Sequence, residues 1–137
     1  MKLKNTKTNR RNRAGATAVE FALTLPILLI FLFGTFELGR GNMMINTTEA
    51  AAYEAARVSI VPGSTVEEAE QAARAILGTA GIKKSTFEIT PNDLNTQSEA
   101  VEVTLRVSFA ENSLLVPSFL GDTTFVRTCV LNRERTD

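Results

Sequence analysis

Histidine is absent from this 137-residue chain, and cysteine occurs once, as Cys129. The first absence removes the commonest general base and metal ligand, and with it any Ser-His-Asp triad. The second rules out an intramolecular disulfide. For Cys129 that leaves a small buried apolar residue on a strand, which its residue type favours, or a free thiol or a bridge to another chain. Also missing are a phosphate-binding P-loop, a dinucleotide fingerprint and a Cys-x-x-Cys pair. Gly39-Arg40-Gly41 is only a short glycine-flanked basic site, and the acidic pair Glu67 and Glu68 falls on a solvated helix face. The expectation is a chain that is not an enzyme, with no cofactor, no metal and no small-molecule substrate.

What is present is unevenly distributed. The chain has fifteen basic and fifteen acidic residues, and six of the basic ones lie within the first thirteen positions. These are Lys2, Lys4, Lys7, Arg10, Arg11 and Arg13, with no acid among them, so the remainder is acidic by six charges. Basic charge confined to a short tail argues against nucleic acid as a partner. Followed by an apolar run, it points to membrane lipid, with the tail on the anionic cytoplasmic surface. Residues Met1 to Arg13 are polar and basic enough to be expected disordered.

From Ala14 to Phe36 the only charged residue is Glu20. As a helix this run extends roughly 34 Å at about 1.5 Å per residue, enough to cross a bilayer core. It is longer than a secretory h-region, and no small-x-small cleavage pattern closely follows Phe33-Gly34-Thr35-Phe36-Glu37. A retained anchor is therefore predicted, with the basic side cytoplasmic and Glu37 onward outside. Pro26 withholds the hydrogen bond to the Ala22 carbonyl, a potential kink. Gly34, Gly39 and Gly41 suggest a flexible exit. Glu20 lies where a charge costs free energy, on the order of 2.5–3.5 kcal/mol at mid-membrane and less near a helix end. One explanation is a carboxylate that snorkels to the headgroups.

Beyond the anchor the helical period resumes over Asn42 to Ile60, with Met44, Ile45, Thr48, Ala51, Ala52, Ala55 and Ala56 on one face. Glu49, Glu54 and Arg57 fall opposite, and Glu54 and Arg57 are spaced to pair. Val61-Pro62-Gly63 ends this segment. Ser64-Thr65-Val66-Glu67 reads as a capping box, with Thr65 and Glu68 the alternative register. It opens an amphipathic helix along Val66, Ala69, Ala72, Ala73, Ile76 and Leu77 that stops at Gly78 or Gly81. The period then becomes that of strands: Thr86–Thr90, Val101–Phe109 and Thr123–Asn132. The fold class is α+β: an N-terminal transmembrane helix extended by a second helical segment, one amphipathic helix and a small antiparallel sheet of about three strands. Leu114, Leu115, Val116, Phe119 and Leu120 make the last connection unusually apolar. It either closes over the core or forms a partner or membrane contact surface.

Three segments carry a resemblance: Arg13-Ala14-Gly15-Ala16-Thr17-Ala18-Val19-Glu20-Phe21, then Leu25-Pro26-Ile27-Leu28-Leu29, then Phe33-Gly34-Thr35-Phe36-Glu37-Leu38-Gly39-Arg40. With Ala51-Ala52-Tyr53-Glu54-Ala55-Ala56-Arg57 they resemble TadE-like proteins, the minor pilin-like components of the tight-adherence (Flp) pilus assembly system. The resemblance implies a pilin-like fold and cutting by a prepilin-type peptidase after Gly15, so that Ala16 becomes the new N-terminus. Glu20 and Phe21 would then be mature residues five and six, the recognition and assembly positions. It implies a leader over 1–15, a transmembrane anchor over 16–41 and an extracytoplasmic α+β domain over 42–137. Further implied are a bacterial inner-membrane location and partners among other pilin-like subunits and assembly proteins. The competing reading is an uncleaved single-pass protein whose outer domain binds an envelope partner.

Overall fold

A computed structural model describes residues 7–92, 94, 100–113 and 119–133, with the side chains of 7–12 left aside. The chain divides into two compact units, Met1–Phe36 and Glu37–Asp137. Helix α1 runs from Lys7 to Ser59, 53 residues, and contributes to both. It therefore begins inside the tail expected to be disordered. A long apolar helix is already nucleated there, so adding Arg and Lys, good helix formers, requires only propagation. The helix also continues through Pro26 and through Gly34, Gly39 and Gly41, where a flexible exit was expected.

Among the described residues of the first unit none on α1 is buried. Phe21, Leu23, Ile27, Leu28, Ile30, Phe31 and Phe33 are all exposed. Among the described residues one helix is long and apolar enough to cross a membrane, and this is it. Its hydroxyls are satisfied internally: Thr17 donates to the Arg13 carbonyl, Thr24 to those of Glu20 and Phe21, and Thr35 to that of Phe31. Such back-bonding keeps these three hydroxyl hydrogens partnered in an apolar solvent.

The second unit is one helical layer against one face of a sheet. The far end of α1 presents Met44, Thr48, Ala51, Ala52, Ala55 and Ala56, all buried, as the periodicity predicted. Thr48 and Ser59 are buried too, and each returns its hydroxyl to the carbonyl four residues back. Helix α2, Val66–Thr79, opens on the Thr65 register: Thr65 Oγ1 accepts from the Glu68 amide while Glu68 accepts from the Thr65 amide. Residue 80 is its C-cap, and Gly81 follows at φ +67°, a conformation that suits a residue without Cβ.

Strands β1 (Thr86–Thr90), β2 (Ala100–Ser108) and β3 (Thr124–Asn132) form an antiparallel sheet in that order. The chain is thus α+β, with the three strands within a residue of where the alternation placed them, except that Phe109, expected to end the second strand, opens the turn that follows it. On the inner face Val101, Val103, Leu105 and Val107 of β2 are fully buried, flanked by Ile89 and Phe125. Register pairs Ile89 with Val103 and Val103 with Cys129, which places Cys129 on the inner face, half-buried. The outer face is mostly polar, with Val126 and Val130 exposed among its charged and hydroxyl residues, and Thr104 and Thr128, directly opposite, share a hydrogen bond of 2.9 Å. A single turn, α3 (Phe109–Asn112), follows β2. Phe109 is buried and meets Phe125 edge to face at 6.2 Å between ring centres.

Candidate functional site

The residues that the resemblance assigns to processing and assembly lie on α1 in the first unit. Gly15 has open space where a Cβ would sit, and Ala16, Glu20 and Phe21 are exposed. The Glu20 backbone carbonyl takes the Thr24 hydroxyl at 3.0 Å. Glu20 thus stands on an exposed helix surface, one position before the aromatic Phe21, and among the described residues no cation forms an ion pair with it. On an apolar helix that arrangement leaves the carboxylate available to a group from another molecule.

A second cluster, unforeseen from the sequence, lies just beyond the apolar run in the second unit. The Glu37 carboxylate accepts from the backbone amides of Phe119, at 2.8 Å, and Leu120. One turn farther along α1, Arg40 reaches two carbonyls: Nη1 donates to Ala80 at 2.6 Å and Nη2 to Asn112 at 3.1 Å. Ala80 caps α2, so a cation there also meets the negative end of that helix. Asn112, buried, is a hub. Its Oδ1 accepts from the Lys83 and Lys84 amides, and its Nδ2 donates to the Lys84 and Ser108 carbonyls. Gly41 is buried beneath Leu120; a Cβ there would stand 2.8 Å from Leu120 Cδ1, with Phe125 and Phe109 behind.

The Glu37–Gly41 turn is therefore a socket into which the rest of the second unit is pinned. The only sequence hint was the return of charge and glycine immediately after an uncharged run. Nothing in the spacing of Asn112 or Phe119 revealed their partners, because both lie more than 70 residues away. Of the apolar connection, Leu114, Leu115 and Val116 lie outside the described residues. Leu120 turns inward against Gly41, whereas Phe119 is 63 % exposed.

A surface groove of about 800 Å³ lies elsewhere on the second unit, lined by Arg74, Lys83, Lys84, Arg106 and Glu111 among others. Its cations are largely matched: Arg74 by Glu70 at 2.6 Å, Lys84 by Glu111 at 3.5 Å, Arg106 by Glu88 at 3.7 Å. Pairing of this kind flattens the field that would draw an anion.

Compared with known families, residues 15–57 match the family model described as TadE-like protein. Neither the curated proteins nor the solved structures gave a match. The matched segment starts at Gly15, contains Glu20, the Glu37–Gly41 socket and the alanine-rich face of α1, and ends at Arg57.

Proposed function

We propose that this TadE-like chain is a membrane-anchored, pilin-like assembly protein of a tight-adherence (Flp-type) pilus, processed after Gly15. The observation that carries the reading is the coincidence of the TadE-like segment with one long apolar helix, on which Gly15, Glu20 and Phe21 stand at the offsets a prepilin peptidase reads. The α+β domain supplies a folded head, and no catalytic chemistry is assigned to it.

The physical sequence of events is direct. The basic leader holds the N-terminus at the cytoplasmic face. Hydrolysis of the Gly15–Ala16 peptide bond releases that leader with its six positive charges, and the new α-amino group forms on Ala16. Glu20 then sits five residues into the mature chain. Inside lipid, the amino group of a neighbouring pilin-like subunit neutralises it, and the burial penalty becomes a preference for assembly.

Intact mass or N-terminal sequencing of the membrane-extracted protein, with a matching prepilin peptidase present, tests the cut. The expected mature start is Ala16; a start at Met1 overturns processing. Glu20→Ala is expected to be cleaved but to leave pili unassembled. Normal piliation in that variant removes the assembly role of the carboxylate.

A further inference from the structure

Glu37 is the first charged residue after the apolar run. A bilayer core of about 30 Å accommodates about twenty helical residues at 1.5 Å each, so a span beginning near Val19 ends near Leu38. Glu37 therefore marks the height at which α1 leaves the hydrocarbon. Its carboxylate holds the Phe119 amide at 2.8 Å, together with the Leu120 amide, so the 119–120 turn lies within about one helical turn of that height.

The two turn residues then part. Leu120 reaches Gly41, one helical turn farther from the apolar run, and joins the core around Phe109 and Phe125. Phe119 takes no part in that core and remains 63 % exposed, as does its neighbour in height, Leu38, at 62 %. A large apolar ring held by its backbone beside the exit of a membrane helix stands where it can seat in the boundary between headgroups and acyl chains.

We propose that Phe119 is a second membrane contact of this protein, its ring seated in the boundary between headgroups and acyl chains where α1 emerges. The inference rests on α1 spanning the bilayer and adds a lipid-facing role for the outer domain. Glu37 is then a positioning residue: its carboxylate fixes the turn that presents the ring.

The chain has no tryptophan, so a single Trp reports one site. Full-length Phe119→Trp, Phe31→Trp and Tyr53→Trp variants are reconstituted in phosphatidylcholine–phosphatidylglycerol vesicles carrying bromine at shallow or deep acyl positions. Tyr53 is exposed and lies about 24 Å farther along α1 than Glu37, beyond reach of lipid. The expected result is loss of about half the Phe119→Trp emission to shallow bromine, as befits an interfacial ring. Phe31→Trp is quenched by deep bromine, and Tyr53→Trp is unaffected. If Phe31→Trp is quenched and Phe119→Trp matches Tyr53→Trp, the lipid contact is overturned and the span stands. A blue-shifted but unquenched Phe119→Trp also overturns it, since the ring is then covered by protein. If Phe31→Trp escapes quenching, the span itself fails, and this contact with it.

Discussion

Arg40 Nη2 donates to the backbone carbonyl of Asn112 at 3.1 Å, across 72 residues of chain. The bond joins the start of the second unit's helix to the single-turn α3, and the same guanidinium holds the Ala80 carbonyl at the end of α2. Three parts of the unit thus converge on one side chain, with Asn112 distributing four further bonds to the α2–β1 connection and to Ser108.

Asn112→Ala removes the side-chain bonds while leaving the carbonyl that Arg40 uses. Buried amides and carbonyls left unpaired cost about 1–3 kcal/mol each, with partial relief from water, so a loss of about 2–4 kcal/mol is expected. Denaturant unfolding of the detergent-solubilised full chain, followed by far-UV circular dichroism, measures it. A change under 1 kcal/mol would show that the hub is not structurally needed.

Gly39 and Gly41 are two positions apart on α1 and should respond differently to alanine. Gly39 faces open space, so Gly39→Ala gains helix propensity of up to about 1 kcal/mol. At Gly41 the added methyl meets Leu120 Cδ1 at 2.8 Å, and the shift it forces offsets that gain. Thermal unfolding should place Gly39→Ala above the parent and Gly41→Ala at or below it. Gly41→Leu should fall well below both.

Glu37→Ala frees two backbone amides from their acceptor, whereas Glu37→Gln retains a carbonyl oxygen for them. Hydrogen exchange at Phe119 and Leu120 reads the difference directly. Losing an acceptor worth about 1.5–3 kcal/mol accelerates exchange by roughly ten- to a hundredfold in Glu37→Ala, with a smaller effect in Glu37→Gln. Equal exchange in all three proteins would mean that the carboxylate does not hold the turn.

Burial on the inner face of β3 pushes the Cys129 thiol above its ordinary range. The folded state therefore favours the neutral thiol, and stability is unaffected below the ordinary thiol value. It declines as pH rises through the raised value, because the unfolded chain ionises first. Cys129→Ala should lack this alkaline decline. Alkylation of the folded wild type at pH 8 should also be slower than that of the unfolded chain, and equal rates would contradict the placement.

Much of the fold was legible because period alone carries it. Val101 to Val107 alternate and are buried in alternation, and the face from Met44 to Ala56 is buried as a helical stripe. The start of α2 was misplaced by one residue: the Ser64–Glu67 box gave way to its alternative, Thr65 with Glu68, because adjacent hydroxyl residues offer caps that sequence alone cannot rank. Gly34, Gly39 and Gly41 misled, because glycine in sequence signals freedom whether the backbone uses it to bend or, as at Gly41, to admit a neighbour. The pins at Glu37, Arg40 and Asn112 could not be read in advance. Their partners are mostly backbone atoms, and backbone atoms leave no mark on sequence.

Because the buried stripe from Met44 to Ser59 belongs to the first helix, the order of synthesis matters. The ribosome delivers the template before any strand that must lie on it, so β2 and β3 meet a preformed partner as they emerge. A fragment beginning after Ser59 would reverse that advantage. It would leave the Val101–Val107 face covered only by α2 and without the Met44–Ser59 stripe, and would be expected to aggregate where the full chain folds.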